Sequence, residues 1–219
     1  MVGRTTHLGI SPCSSGISLL YYEPVSEPSH SVAAILLTGG ASRRMGQDKS
    51  QLIIEGSTLA IRASSLLQRV VTTAIEVGPG VSGLPSTREQ PPGGGPLVAI
   101  AAGCRALRES GHTGSALVIA CDLPLLREEL LRYLVEWVAP GSVLPVVRGR
   151  PQPLCAKWGR HDLDNASHLV SRGVRSLKHL STQLDVTLLH TSNWGHVASE
   201  ATFSDVDSPA DLQRLGLST

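Results

Sequence analysis

The sequence predicts a three-layer α/β fold with a mostly parallel central sheet. From Val32 onward, short apolar segments of strand length alternate with longer segments whose apolar residues recur at helical spacing. This alternation is typical of a sheet with helices packed on both faces. Residues 32–38 and 116–121 contain no charged side chain, as expected of parallel strands that are buried on both faces. We therefore expect both segments to be strands inside the sheet.

The other elements follow in chain order. Residues 57–70 alternate leucine, isoleucine and valine with arginine at helical spacing, which predicts an amphipathic helix. Residues 96–108 predict a helix that begins at Pro96, because proline is favoured in the first helical turn. Further strands are predicted at 72–77, 143–147, 153–158 and 184–190. Further helical segments are predicted at 127–138, between 162 and 180, and at 208–215.

The composition indicates one globular domain with an N-terminal extension. A chain of 219 residues with 41% hydrophobic and 17% charged residues can bury a substantial core. Residues 1–30 are rich in serine and proline and carry only Arg4, Glu23 and Glu27 as charges. We expect this segment to be a poorly ordered extension and residues 31–219 to form the domain.

Charge, aromatic content and cysteine usage exclude several classes of protein. The formal net charge is +1 and aromatic residues make up 3% of the chain, so neither a nucleic-acid-binding basic face nor a base-stacking platform is indicated. No run of about 18 apolar residues occurs, so no membrane span is expected. The cysteines lack the spacing of a zinc site. Cys104, Cys121 and Cys155 lie in apolar surroundings, which suits a reducing cytoplasm.

The loop after the first strand, from Leu36 to Lys49, contains the most chemical information. It reads Leu-Leu-Thr-Gly-Gly-Ala-Ser-Arg-Arg-Met-Gly-Gln-Asp-Lys. Glycines let the backbone approach a ligand closely, and exposed N–H groups in such a loop can bind anions. Arginine and lysine add positive charge for phosphate oxygens. The loop therefore predicts a nucleotide-binding protein, with a solvated surface turn as the alternative.

The spacing within this loop excludes two common nucleotide-binding motifs. A Walker A loop needs a glycine directly before the lysine, whereas Asp48 stands there. The dinucleotide fingerprint needs Gly-x-Gly-x-x-Gly, which Gly39, Gly40 and Gly46 do not match. The sequence also lacks a Gly-x-Ser-x-Gly nucleophile elbow, which disfavours a hydrolase with a catalytic triad.

Asp122 is a candidate metal ligand. It follows the predicted strand 116–121 directly, and Pro124 turns the chain two residues later. Ligands of parallel α/β sheets bind beyond the carboxyl ends of the strands. Mg2+ prefers one or two carboxylates together with substrate phosphates. An aspartate that caps a helix or stabilises a turn is the alternative.

Two further segments are candidates for the same site. Asp205 and Asp207 are two residues apart, so their side chains face the same side of an extended chain. Asp207 or Ser208 can cap the helix that follows, whereas Asp205 is left as a candidate metal or substrate ligand.

The glycines at 93–95 precede Pro96, and backbone N–H groups at a helix N-terminus can bind a ligand. A flexible connector is the alternative for the glycines.

Together these residues resemble the molybdenum cofactor guanylyltransferase (MobA) family of nucleoside-triphosphate transferases. The family signature Leu-Ala-Gly-Gly-x-x-x-Arg-Met-Gly-x-Asp-Lys is similar to residues 37–49, where Thr38 stands at the alanine position. The family's Gly-Pro-Leu, Asp-x-Pro and Asn/Asp-x-Asn/Asp segments resemble residues 95–97, 122–124 and 205–207. Residues 151–156 resemble the strand that lies on the substrate side in this family. The likeness runs in order over about residues 32–215.

The resemblance implies a Rossmann-like nucleotidyltransferase fold and a Mg2+-dependent transfer of GMP from GTP to molybdopterin, with release of pyrophosphate. It implies catalytic roles for Arg44, Lys49 and Asp122. It implies nucleotide contacts at Leu37, Thr38, Gly39, Gly40, Lys49, Gly78, Gly95, Pro96 and Asp122. The metal is expected at Asp122 with Asp205 as a second ligand. The molybdopterin substrate is expected at Asp205, Asp207 and Arg175, within a segment that starts at Gly173.

Other functions stay open at this point. A molybdenum cofactor cytidylyltransferase or a sugar-phosphate nucleotidyltransferase would share the loop, because backbone groups that recognise a base leave no mark in the sequence. A non-catalytic nucleotide-binding partner of a molybdoenzyme is disfavoured by the intact Lys49 and Asp122. The resemblance also implies transient contact with molybdopterin-handling proteins or a molybdoenzyme.

Overall fold

The structure, a computed structural model, describes residues 32–39, 49–138, 141–177, 186–207 and 209–217. In these residues an eight-stranded sheet contains β1 (Ala33–Leu37), β4 (Ala74–Val77), β5 (Ser86–Thr87), β6 (Ala116–Ala120), β7 (Ser142–Val147), β8 (Arg150–Pro151), β9 (Cys155–Trp158) and β10 (Val186–Leu189). A separate hairpin contains β2 (Ile53–Ile54) and β3 (Ser57–Thr58). The helices are α1 (Leu59–Val70), α2 (Pro96–Glu109), α3 (Glu128–Glu136), α4 (Arg160–Ser171), α5 (Thr191–Trp194) and α6 (Pro209–Arg214).

The strand order is β10-β7-β9-β6-β1-β4-β5, and β8 pairs with β7. β1 is parallel to both of its neighbours, β4 and β6, and β10 is parallel to β7. β9 is antiparallel to β6 and to β7. The chain between β7 and β9 is too short for a parallel crossover, which needs a dozen or more residues. The predicted fold class is confirmed, with β9 as an antiparallel strand inside a mostly parallel sheet.

Each face of the sheet is covered by a pair of helices. α2 and α4 pack on one face, where Ile35 and Leu37 of β1 meet Leu97 and Ile100 of α2. α1 and α3 pack on the other face, where Ala34 and Leu36 of β1 belong to the second cluster. Since successive strand residues point to opposite faces, the apolar run of β1 supplies both clusters. This accounts for the lack of polar alternation in that segment.

A third, smaller apolar cluster joins distant parts of the chain. Ile54 of the β2–β3 hairpin and Leu59 of α1 pack with Val206 and with Leu212 of α6. The first three of these side chains are 0–1% exposed. The cluster therefore fixes the C-terminal segment against the chain that follows Lys49.

Several predicted boundaries differ from those observed. The helix predicted at 57–70 begins at Leu59, because Ser57 and Thr58 pair with β2 and the Thr58 hydroxyl caps the helix by accepting a hydrogen bond from the Ile61 N–H at 3.2 Å. Glu55 and Gly56 form the intervening turn with φ of 51° and 78°. Within the described part of the strand predicted at 184–190, Val186–Leu189 is observed as a strand and α5 begins at Thr191. The predicted extension, residues 1–30, lies outside the described residues.

None of the helices within the described ranges combines the length and the apolar character that crossing a bilayer requires.

Gly103 lets α2 approach the sheet closely, and we predict that Gly103→Ala lowers the free energy of unfolding. A Cβ there would lie 2.5 Å from Ile35 Cγ2 and 3.0 Å from Val77 Cγ2. Overpacking costs about 1–3 kcal/mol, and alanine regains about 1 kcal/mol of helix propensity. Urea unfolding of the wild-type protein and the variant measures the difference in the free energy of unfolding. Ser65→Ala on the half-buried side of α1 is the control, and equal stability of the two variants would contradict the close approach.

Candidate active site

The pairing of β1 with β6 places two predicted site segments next to each other. Leu37 and Ala120 are register partners at the carboxyl ends of these strands. The Cys121 N–H donates to the Leu37 carbonyl at 3.0 Å and extends the pairing by one residue. Thr38 and Gly39 follow β1, and Asp122 follows Cys121. The predicted nucleotide loop and the predicted metal ligand therefore emerge side by side.

The N-terminus of α2 forms the neighbouring wall of the site. Gly95 caps the helix with a φ of 91°, a conformation that favours glycine, and Pro96 occupies the first turn. Gly94 is also required, since a Cβ there would lie 2.8 Å from a methyl group of Val98. The glycines thus have defined conformational roles, and the alternative of a flexible connector is disfavoured.

A cavity of about 340 Å3 lies between these segments. It is lined by Leu37, Thr38, Gly39, Lys49, Glu89, Gly93, Gly95, Pro96, Ala99, Ala120, Cys121, Asp122 and Leu154. Most of the predicted nucleotide-binding residues thus line one cavity. Its volume is within the usual range of about 300–1,000 Å3 for small-molecule sites.

Two further carboxylates gather around Asp122, which lines this cavity. Asp122, Asp205 and Asp207 each offer an oxygen, and these oxygens lie within 4.8 Å of one another. Val206 explains the arrangement. Its side chain is fully buried in the third cluster, and its N–H donates to the Asp122 carbonyl at 3.0 Å. The aspartates on either side of Val206 are exposed and share the side that faces Asp122.

Lys49 forms an ion pair with Asp207 across the same site. Lys49 begins a short 3-10 helix, Lys49–Gln51, whose Ser50 is buried. The Lys49 side chain is 23% exposed and that of Asp207 53%. The pair joins the chain that follows the glycine–arginine loop to the C-terminal segment. In the described structure the lysine therefore faces both the cavity and the acidic cluster.

The electrostatics of Asp122 reflect this crowding. Burial raises the pKa of its carboxyl above the ordinary 3.8, Lys49 opposes the rise, and Asp205 and Asp207 add to it. Among the described residues, one lysine thus faces three carboxylates. A cation in the cluster would offset the remaining negative charge, and oxygen ligands of this kind suit Mg2+ or Ca2+.

Some predicted site residues lie elsewhere or outside the described residues. Gly78 is not part of the cavity lining; it packs behind it, where a Cβ would overlap the Thr38 hydroxyl and approach Gly39 N to 2.9 Å. The Arg175 guanidinium donates to the Val170 and Val174 carbonyls at 3.1 and 3.4 Å. Arg44 and Gly40 lie outside the described residues. Their predicted roles, and those of Gly78 and Arg175, stay predictions.

The structure adds Glu89, which the sequence analysis missed. Its carboxylate lines the cavity and accepts a hydrogen bond from the Gly93 N–H at 2.8 Å. It thereby holds the glycine segment before α2. The sequence gives only a weak signal for this role, a charged residue shortly before three glycines.

Comparison with known proteins agrees with this geometry. The family profile of the MobA-like NTP transferase domain matches residues 34–186. A probable molybdenum cofactor guanylyltransferase of Mycolicibacterium paratuberculosis is 32% identical over 198 residues, which cover 85% of this chain and 96% of that protein. A Mycobacterium tuberculosis protein of the same name is 33% identical over 158 residues, covering 68% and 78%.

A solved structure shows the same fold. Molybdopterin-guanine dinucleotide biosynthesis protein A from Archaeoglobus fulgidus matches with a TM-score of 0.67 at 23% identity, over 84% of this chain and 96% of that one. The resemblance found in the sequence is thus confirmed by the family profile, by the relatives and by the fold. This chain belongs to the family of MobA-like NTP transferases.

Proposed function

We propose that this protein transfers GMP from GTP to the molybdenum cofactor, molybdopterin carrying molybdenum, and releases pyrophosphate. The observation that carries the proposal is the single cavity that joins Gly39, Lys49 and Asp122 at the carboxyl ends of β1 and β6. The names of the relatives support guanine as the base and molybdopterin as the acceptor.

The residues of the cavity suit the binding of a nucleoside triphosphate. The N-terminus of α2, which begins at Pro96, favours phosphate oxygens. Lys49 supplies a positive charge on the wall of the cavity. Phosphoryl transfers of this kind depend mainly on positioning and on charge stabilisation. In the proposed reaction, a terminal phosphate oxygen of the cofactor bonds to the α-phosphorus of GTP, and the bond to the pyrophosphate oxygen breaks.

The acidic cluster fits Mg2+, the metal that we propose for this site. Asp122 would hold the ion, with Asp205 as the next ligand and Asp207 within reach. Such an ion neutralises charge on phosphate oxygens during transfer. Asp205 and Asp207 lie at the exposed side of the cluster, where an acceptor could enter. Arg175 and the segment from Gly173 are proposed to contact the acceptor.

The proposal extends to the location of the protein and to its protein partners. The described cysteines, Cys104, Cys121 and Cys155, are buried, which favours the expected cytoplasmic location. Contact with molybdopterin-handling proteins or a molybdoenzyme stays a prediction from the family resemblance.

Product analysis tests the reaction itself. Incubation with GTP, Mg2+ and molybdenum-loaded molybdopterin should yield molybdopterin guanine dinucleotide and equimolar pyrophosphate, both measured by chromatography. Parallel reactions with CTP, ATP and UTP, and with sugar phosphates as acceptors, test the related activities. Faster transfer from CTP, or pyrophosphate release only with a sugar phosphate, would contradict the proposal, as would binding of GTP with no turnover.

Asp122→Asn should lower kcat by about 100-fold or more. A metal ion contributes several kcal/mol to charge stabilisation, and about 1.4 kcal/mol corresponds to tenfold in rate. Steady-state kinetics over a range of Mg2+ concentrations measures the loss. Asp164→Asn is the matched control, because Asp164 is exposed on α4 and pairs with Arg108 away from the cluster. Equal activity of the two variants would contradict the assignment of Asp122.

Asp207→Asn should have opposite effects on GTP binding and on Mg2+ dependence. The substitution frees Lys49 from its carboxylate partner, so GTP should bind up to about five-fold more tightly in the presence of EDTA, in line with the 0–1 kcal/mol typical of exposed ion pairs. The Mg2+ concentration for half-maximal activity should rise, since one oxygen ligand is weakened. Calorimetry measures the affinity for GTP, and steady-state kinetics measures the Mg2+ concentration for half-maximal activity. Unchanged metal-free affinity would show that Asp207 does not restrain Lys49.

A further inference from the structure

Glu76 is a buried carboxylate that the proposed reaction does not use. It lies in β4 with 0% of its surface exposed, and no ion pair to it occurs among the described residues. Burial of a carboxylate without a partner is costly. A group retained in such a place therefore needs compensating hydrogen bonds.

Five hydrogen bonds converge on this carboxylate. Oε1 accepts from the Thr38 hydroxyl at 2.6 Å and from the N–H groups of Gly80 and Val81 at 2.7 and 3.1 Å. Oε2 accepts from the Ser82 N–H and hydroxyl at 2.8 and 2.5 Å. Burial tends to raise the pKa of Glu76, but the bonds from Ser82, Thr38 and Val81 outweigh it and lower the pKa. The group is therefore an ionised acceptor at neutral pH.

These donors come from two different loops. Thr38 follows β1 and lines the nucleotide cavity, whereas residues 80–82 follow β4 and lie outside its lining. Gly78 stands between them and leaves room for the Thr38 hydroxyl, which a Cβ at that position would overlap. Thr38 is 4% exposed, so its hydroxyl has the carboxylate and not solvent as its partner. The carboxylate thus joins the cavity wall to the neighbouring loop.

Thr38, the partner of Glu76, departs from the family signature. The family signature has alanine where Thr38 stands, and alanine offers no hydroxyl to a carboxylate. A charged residue inside a parallel strand is unusual, since such strands are apolar. The threonine and the glutamate satisfy each other's hydrogen-bonding needs, and neither is explained by metal or phosphate chemistry.

We propose that Glu76 is a positioning residue for the nucleotide. Through Thr38 and residues 80–82 it holds the ends of β1 and β4 in the arrangement that binds the nucleoside triphosphate. The identity of that nucleotide as GTP rests on the proposed function. Since Lys49 and Asp122 make no hydrogen bond to this network in the described structure, the network acts on nucleotide affinity and not on the transfer step.

The test compares KM for GTP with kcat in variants that remove one hydrogen bond each. Thr38→Val replaces the hydroxyl with a methyl group, and Ser82→Ala removes a donor that lies outside the cavity. Each lost bond loosens the link between the ends of β1 and β4, so KM and the Kd for GTP should each rise about ten-fold, with kcat within about two-fold of wild type. Thr38→Ser should restore most of the affinity that Thr38→Val loses.

Ser110→Ala is the matched control, because its hydroxyl donates to the Leu107 carbonyl at 2.7 Å at the far end of α2. It should lower the melting temperature and leave KM unchanged. If Ser82→Ala lowered only the melting temperature, or lowered kcat at constant KM, Glu76 would have a structural or a catalytic role and the inference would fail. Failure of the proposed function would show separately, because the wild-type protein would not transfer GMP from GTP. The KM and Kd of the same variants would then be compared for the nucleoside triphosphate that the wild-type protein binds.

Discussion

The parallel pairing of β1 with β6 is the constraint on which the rest of the structure depends. With Leu37 opposite Ala120, the chain leaves both strands at the same edge of the sheet. A shift of one residue would exchange the side chains that β1 directs toward α2 and toward α1. Because both faces are buried, such a shift would disrupt two apolar clusters. The register that packs the core is therefore the same register that aligns Thr38 with Cys121 and brings Asp122 to the cavity.

A second dependence links the C-terminal segment to this edge. Asp205 and Asp207 are remote from Asp122 in sequence, and they approach it because Val206 is buried between Ile54, Leu59 and Leu212. The hydrogen bond from the Val206 N–H to the Asp122 carbonyl fixes the distance. Apolar packing thus assembles a site of like charges that repel one another. Lys49 offsets part of this repulsion, and the proposed Mg2+ would offset more of it.

The loops around the cavity are held by two carboxylates that do not belong to the acidic cluster. Glu89 accepts from the backbone of the glycine segment before α2. Glu76 accepts from both loops that follow β1 and β4. In each case a carboxylate satisfies backbone N–H groups in a segment without regular structure, where such groups would otherwise lack partners. The shape of the cavity is therefore defined by hydrogen bonds as well as by the strands and helices.

The sequence by itself determined the fold class, most of the element positions and the family, because strand–helix alternation and the loop motifs are local patterns. It also identified Lys49, Asp122 and Asp205 as residues of interest. Only the tertiary structure decided that β9 is antiparallel, that Lys49 pairs with Asp207, and that Glu76 and Glu89 support the cavity. These features depend on contacts between residues far apart in the chain, such as Thr38 and Glu76, and no local pattern encodes which distant donor meets which acceptor.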